Sequence, residues 1–197
     1  MKVWILIFVC MFSMPLLVAV LHFRMRKGQI LKIRQDYVKN ARYFGRSFSA
    51  LVEKALPEMK NGMIMLSRQE KVLETDGKQE FVQPEIEDLV IARNTIFCPQ
   101  QEDLYFQKEI YSEKDALFVK ENIRLRAVYS KKRLLFGNKI RLLRWADAEH
   151  AVVVYDECDL GERVSSGEQL VIGFDNIFQS LYAPVIRLGQ HPEEPDR

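Results

Sequence analysis

An apolar residue recurs at every sixth position through the second half of the chain. The series runs from Ile86 to Leu188, and sixteen of its eighteen members are apolar, against 48% hydrophobic residues in the whole sequence. The members are Ile86, Ala92, Cys98, Leu104, Ile110, Ala116, Asn122, Val128, Leu134, Ile140, Ala146, Val152, Cys158, Val164, Leu170, Asn176, Tyr182 and Leu188. A period of six fits neither the 3.6-residue period of an α-helix nor the two-residue alternation of a strand.

A β-solenoid with three short sides per coil explains this period, because each side then points one residue in six toward the axis. Three sides make about 18 residues per coil, and residues one coil apart stack about 4.8 Å from each other. Two such columns are entirely apolar: Ala116, Leu134, Val152, Leu170 and Leu188, and Leu117, Leu135, Val153 and Val171. We predict a mainly β fold, a single-stranded parallel β-helix over residues 86–189. An antiparallel β-sandwich is the alternative, but it offers no reason for a fixed period.

The two polar members of the series, Asn122 and Asn176, lie 54 residues apart. This distance puts both in one predicted column, three coils apart. The amide of an asparagine can bond to the backbone groups that a tight turn leaves free. We therefore expect both residues to be structural corners of the coil, and not ligands of a bound molecule.

The start of the chain carries a long apolar run. From Val3 to Phe23 the sequence has no Asp, Glu, Lys or Arg, and a helix of that length would span about 31 Å, the thickness of the hydrocarbon core of a bilayer. Pro15 is tolerated in a membrane helix. We predict a transmembrane helix over residues 1–24. A cleaved signal peptide is the alternative, although VAVLHFRMR is a poor cleavage site.

Positive charges follow the apolar run at once. Arg24, Arg26 and Lys27 come directly after it, whereas only Lys2 precedes it. The positive-inside rule then places the rest of the chain in the cytoplasm, and the same three side chains are predicted to contact lipid headgroups. The basic stretch has no interleaved aromatic pattern, so we expect no nucleic acid partner.

The three cysteines, Cys10, Cys98 and Cys158, have neither CxxC spacing nor histidine partners at metal-ligand spacing. This arrangement favours reduced, structural cysteines over a disulfide framework or a metal site. No Gly-rich phosphate loop is present either. We therefore expect neither a metal nor a cofactor.

A helical connector is predicted between the anchor and the β-region, over residues 25–62. Phe44, Phe48, Leu51, Val52 and Ala55 recur on one face of a short amphipathic helix. We expect this face to pack on the following domain and to cap the N-terminal end of the solenoid; adsorption to the membrane surface is the alternative. Residues 63–85 are predicted to be a lead-in segment and residues 190–197 a polar tail.

A hexad repeat is also typical of hexapeptide acyltransferases, which use a catalytic histidine. Here the residue after the hexad position is rarely Gly, and the candidate histidine is His150, which we expect to be a surface corner residue. A degenerate transferase of this type, acting on envelope precursors, is the alternative to a non-enzymatic protein. Arg126 and Arg144, eighteen residues apart beside Trp145, leave a sugar or anion site as a further hypothesis.

The stretches ALFVKENIRLRAVYS, RLLFGNKIRLLRWADA and GEQLVIGFDNIFQSLYAP resemble the bactofilin family of polymer-forming cytoskeletal proteins. The resemblance covers about half of the chain, from Ile86 to Leu188. It implies a right-handed β-helix that binds no nucleotide, polymerises end to end on the cytoplasmic face of a bacterial inner membrane, and recruits envelope or morphogenesis proteins. The full anchor and the added helix depart from compact members of the family.

The last predicted coil, FDNIFQSLYAPVIRLG, has more apolar side chains than one coil can bury alone. The ends of a solenoid expose unpaired strand edges, and only a polar tail follows this one. We therefore predict self-association into a homo-oligomer or polymer through this end. The residues predicted to mediate it are Ile177, Phe178, Leu181, Tyr182 and Ile186.

Overall fold

The computed structural model describes residues 2–25, 40–76, 81, 83–97 and 103–190. They belong to two compact units, Met1–Arg34 and Gln35–Arg197. The first unit contains helix α1, Lys2–Met25, in which the described large apolar side chains, from Trp4 to Val20, are exposed. Among the residues described, no helix combines the length and the apolarity that a membrane crossing requires.

The second unit begins with helix α2, Tyr43–Ala55, followed by a 3-10 turn, Leu56–Glu58. Strands then follow in close succession. They are β1 (Met63–Met65), β2 (Gln69–Thr75), β3 (Glu85–Ile86), β4 (Leu89–Ala92), β5 (Ile96–Phe97), β6 (Tyr105–Ser112), β7 (Ala116–Phe118), β8 (Arg124–Ser130), β9 (Leu134–Phe136), β10 (Arg141–Ala148), β11 (Ala151–Val154), β12 (Arg163–Ser166), β13 (Gln169–Ile172), β14 (Leu181–Tyr182) and β15 (Val185–Leu188).

The strands form two sheets that wind together as a solenoid. One has the order β1-β2-β4-β6-β8-β10-β12-β14, with β3 also paired to β6, and the other has the order β15-β13-β11-β9-β7-β5. β1 and β2 are antiparallel, whereas the coil-to-coil pairs are parallel. The result is a parallel β-solenoid of about six turns with about 18 residues per turn. The predicted solenoid is confirmed, and the β-sandwich alternative is wrong.

Each coil has three sides. The first side comprises the starts of β6, β8 and β10, continued by the single bridges from Arg141 to Asp159 and from Asp159 to Ile177. The second side comprises β4, the ends of β6, β8 and β10, then β12 and β14. The third side is the sheet from β5 to β15. Register shifts after Phe106 and after Leu142 mark the corner between the first and second sides.

The inward columns form the main core. Val152 pairs with Leu134 on one side and Leu170 on the other, and all three are fully buried, as predicted. Burying a valine or leucine side chain stabilises a fold by about 1.5–3 kcal/mol. Among the described residues, the buried members of both core clusters lie between residues 52 and 172, within the unit Gln35–Arg197.

Thirteen of the eighteen hexad positions are buried. Asn122, Tyr182 and Leu188 are exposed, and Asn176 is half-buried. Cys98, like residues 191–197, lies outside the described residues. The six-residue series therefore identifies the inward-facing residues of the middle coils. In the last coil its members are no longer buried.

Two predicted columns are wrong in register because the coils differ in length. Leu170 pairs with Ile186, sixteen residues later, and not with Leu188. Arg124 pairs with Arg141, seventeen residues later, so Asn122 and Asn176 do not share a column. The column of Leu117, Leu135, Val153 and Val171 is continuous, but it lies on the outer face of the third side, since the neighbouring residues on each strand form the core.

One corner has a left-handed backbone in successive coils. Asp103, Asn122, Lys139, Glu157 and Asp175 have φ between 53° and 60°. The corner expected at Asn122 is thus confirmed.

Asn176 also has a structural role, as predicted. Its Oδ1 accepts a hydrogen bond from the Cys158 backbone N–H, and its Nδ2 donates one to the Tyr155 carbonyl, each at 2.8 Å. The amide therefore ties the last coil to the coil before it.

Helix α2 lies on the outer face of the second side, so its expected position at the N-terminal end is wrong. Val52 and Ala55 are buried in a second core with outward residues of the sheet, and Phe44 and Phe48 pack against it, whereas Leu51 is exposed. Several outward positions of this side, among them Leu89, Ile91 and Tyr111, are apolar or aromatic and form the surface on which the helix packs. At the N-terminal end, β1 pairs with the first half of β2 and covers that edge.

Candidate functional site

The last coil ends the solenoid with exposed apolar side chains. β14 and β15 are the terminal strands of their sheets. Ile186 pairs with Leu170 and Leu188 with Ile172, yet the exposed fraction rises from 0% at Leu170 to 41% at Ile186, and from 1% at Ile172 to 54% at Leu188. These two side chains continue inner columns of the core that would be buried in any earlier coil.

Two further side chains complete this surface. Phe178 stands in register with the buried Leu160, and Leu181 with the buried Val164. We call the resulting surface the end plate; it consists of Phe178, Leu181, Ile186 and Leu188. The end plate thus presents strand edges and apolar columns at the spacing of the earlier coils.

The five residues predicted to mediate self-association fall into two groups. Three of them belong to the end plate. The other two, Ile177 and Tyr182, continue the outer columns of Asp159 and Ser165 and therefore point outward on the flanks of the last coil. Of the predicted headgroup residues, Arg24 lies in α1, and Arg26 and Lys27 lie outside the described residues.

A buried ion pair fixes the start of α2 to the solenoid. Arg42 Nε and Nη2 donate to the two carboxylate oxygens of Asp147 at 2.8 and 3.1 Å, and Nη1 donates to Glu149 at 3.1 Å. Ser165 Oγ donates to Asp147 at 2.7 Å, and Tyr129 donates to Glu149 at 3.0 Å. We call this group the helix latch. Glu149 is half-buried within it.

The surroundings shift the pKa values of the latch carboxyls in opposite directions. Burial raises the pKa of Asp147, and the hydrogen bonds from Arg42 and Ser165 oppose that effect. Burial acts in the same sense on Glu149, but the hydrogen bonds from Arg42 and Tyr129 outweigh it and lower the pKa of Glu149. The latch is a structural device, because its polar atoms are already satisfied by one another.

Aromatic rings join α2 to the middle coils. The Phe48 ring lies 5.6 Å from Trp145 and 6.4 Å from Tyr111, in edge-on geometry, and Tyr111 stacks on Tyr129 at 5.7 Å. Trp145 is only 6% exposed. Its ring therefore has no open face for a sugar, contrary to one hypothesis from the sequence.

His150 lies at a corner, as expected. Its Nδ1 is 2.6 Å from Glu168 Oε1, and both side chains are more than half exposed. A groove of about 480 Å³, whose lining includes Phe48, Leu66 and Arg126, does not include His150. No catalytic arrangement forms around His150 in the described part of the chain.

The described residues contain no group of three or more His, Cys, Asp or Glu side chains that could hold a metal ion. Cys158 is buried, its thiol donates to the Gly137 carbonyl at 3.0 Å, and burial raises its pKa to about 11. A thiol with so high a pKa is a poor nucleophile at neutral pH. Cys158 is a packing residue.

The chain is a parallel β-solenoid whose last coil carries apolar side chains that no described residue covers. Comparison with protein-family models, with curated proteins and with solved structures found no match.

Proposed function

We propose that this chain is a membrane-anchored, non-enzymatic, bactofilin-like scaffold that self-associates through the end plate on the cytoplasmic face of a bacterial inner membrane, where it organises envelope or morphogenesis proteins. The observation that carries the proposal is the end plate itself. Its inner columns are as apolar as those of the buried coils, but Phe178, Ile186 and Leu188 are exposed and Leu181 is half-buried.

A second copy of the chain is the partner that this surface fits best. The end plate of a second copy has the same three-sided outline and the same column spacing. When two end plates face each other, the apolar columns of one contact those of the other, and so do the strand edges. Burial of these side chains would contribute about 25 cal/mol for each Å² of apolar surface removed from water. Because β1 covers part of the opposite end, we expect discrete pairs joined at their end plates.

Negative-stain electron microscopy of residues 35–197 tests this arrangement. The expected particles are rods of twice the length of one solenoid. Filaments would extend the proposal to the N-terminal end as well. A uniform population of single solenoids at high concentration would contradict self-association through the end plate.

The membrane part of the proposal rests on the sequence, in which the run from Val3 to Phe23 has no Asp, Glu, Lys or Arg. The cluster from Arg24 to Lys27 favours a cytoplasmic solenoid. A reporter fused after Arg197 tests the topology: a cytoplasmic reporter should be active and a periplasmic phosphatase inactive. Phosphatase activity would reverse the orientation and remove the scaffold from the cytoplasmic face.

A further inference from the structure

The first side of the solenoid carries two arginines stacked directly on each other. Arg124 of β8 pairs with Arg141 of β10 in the parallel ladder, and both are exposed. The following residues, Leu125 and Leu142, are buried in the core, so the two guanidinium groups point away from it. Neighbouring rungs of a ladder are about 4.8 Å apart, which places two like charges close together.

Two more arginines, Arg126 and Arg144, lie exposed at the corner beside this pair. Arg126 Nε is 3.4 Å from Glu109 Oε1, a long contact. Among the described residues, no carboxylate lies within ion-pair distance of Arg124, Arg141 or Arg144. We call these four residues the arginine patch.

Two other cations of the solenoid, Arg133 and Lys139, have carboxylate partners on the neighbouring coil. Arg133 pairs with Asp115 at 2.8 Å, and Lys139 pairs with Glu121 at 3.0 Å. Two carboxylates lie on the next coil, Asp159 beside Arg141 and Glu162 beside Arg144, but neither is within ion-pair distance of these arginines. Like charges directly opposite each other in a ladder are destabilising. An external anion bound between Arg124 and Arg141 would therefore relieve a repulsion that no ion pair among the described residues offsets.

Exposed aliphatic side chains accompany these charges. Leu143, between Leu142 and Arg144, is 43% exposed, and Ile177, which continues the column of Arg141 and Asp159, is 69% exposed. The described groove reaches only Arg126 of the four arginines. A side that combines arginines with exposed aliphatic residues is suited to a bilayer surface, where phosphates and acyl chains are both within reach.

We propose that the first side is a docking surface for an anionic lipid bilayer, with the arginine patch binding headgroup phosphates. Guanidinium groups bind phosphate oxygens through paired N–H donors. The solenoid then lies with its first side on the membrane. This inference uses only residues of the unit Gln35–Arg197, so it does not depend on a transmembrane role for α1 or on the end plate.

The test is co-sedimentation of residues 35–197 with vesicles. We expect binding to phosphatidylcholine vesicles that contain about 30% phosphatidylglycerol, weakening as salt rises, and little binding to phosphatidylcholine alone. Arg124→Gln with Arg141→Gln should weaken binding by at least about tenfold, because each basic residue near an anionic surface contributes about 1 kcal/mol.

The matched control is Lys114→Gln with Lys132→Gln. These lysines also lie one coil apart and lose the same charge, but they belong to the corner between the second and third sides, and binding should stay nearly unchanged. Arg124→Lys with Arg141→Lys, which keeps the charge, should retain most of the binding, and circular dichroism should show folded protein for each variant. Absence of wild-type binding, or an equal loss in the lysine control, would overturn the proposal. Binding to a poly-glutamate peptide but not to vesicles would also overturn it, in favour of an acidic protein partner.

Discussion

Arg42 and Asp147, 105 residues apart in the chain, form a two-point ion pair in which the side chains are only 5% and 1% exposed. Arg42→Ala would leave the Asp147 carboxylate buried without its partner. Breaking a buried pair in this way costs about 3–5 kcal/mol, and we expect a loss of that size in the free energy of unfolding by urea. Arg46→Ala, at an exposed arginine of the same helix, should change it by less than about 0.5 kcal/mol.

Replacing both partners shows how much of the loss in the Arg42→Ala variant comes from leaving one charge buried without its partner. Arg42→Met with Asp147→Leu removes both buried charges together, so it should be less destabilising than Arg42→Ala alone. If the double variant has the lower free energy of unfolding, the latch stabilises the fold by more than the mutual compensation of two buried charges.

Gly45 lets α2 approach the solenoid. A β-carbon added there would lie 2.4 Å from the Asp147 side chain. Gly→Ala within a helix normally stabilises by about 0.5–1 kcal/mol, but we expect Gly45→Ala to lower the melting temperature. Ala50→Gly, at an exposed position of the same helix, gives the ordinary glycine penalty as a reference. A stabilised Gly45→Ala variant would show that the helix does not pack this closely.

The inward register can be tested at two adjacent valines. Val152 is fully buried between Leu134 and Leu170, whereas Val153 points outward on the third side. Val152→Asp buries a carboxylate without a partner and should cost several kcal/mol, roughly 3–5, in unfolding experiments. Val153→Asp should cost about 1 kcal/mol or less. Equal losses would mean that the assignment of inward and outward faces is incorrect.

The two tyrosines that α2 covers, Tyr111 and Tyr129, should lose their protons at a higher pH than exposed tyrosines do. Burial raises the pKa of Tyr111 to about 12, from an ordinary value of 10.0, and burial also raises the pKa of Tyr129. Because the folded state holds these protons more tightly than the unfolded state, the stability that they contribute is lost as pH rises from about 10 to 12. Ultraviolet titration should show a late class of tyrosines, and Tyr111→Phe should reduce it. A single transition near pH 10 would contradict the buried stack.

The solenoid could be predicted from the sequence because its core is local and periodic. Leu134, Val152 and Leu170 occupy the same place in successive coils of equal length, so spacing alone aligns them. The amphipathic face around Phe48 and Val52 could be predicted in the same way, from the helical spacing of its apolar residues. These features repeat or lie close together in the chain, and no knowledge of distant pairing is needed to find them.

Other features depend on coil length or on long-range packing. Coils of sixteen and seventeen residues shift Leu188 and Asn122 out of their predicted columns. The position of α2 depends on the ion pair between Arg42 and Asp147. These residues are 105 positions apart, and no repeat in the sequence connects them. The sequence did contain one indication of where α2 packs. Tyr111 and Tyr129 lie in an outward column of the second side, where a solvent-exposed strand would normally carry polar residues. Such a column indicates a side that another element covers.

Sedimentation velocity of residues 35–197 over a range of concentrations tests the central claim, that the end plate joins copies of the chain. The wild type should show a mass that rises to that of a pair or more as concentration increases. Phe178→Arg should sediment as a monomer with unchanged circular dichroism, while Val119→Arg, an equally exposed apolar site in an earlier coil, should behave as the wild type. A wild-type monomer at every concentration, or a Phe178→Arg variant that associates as the wild type does, would contradict the account.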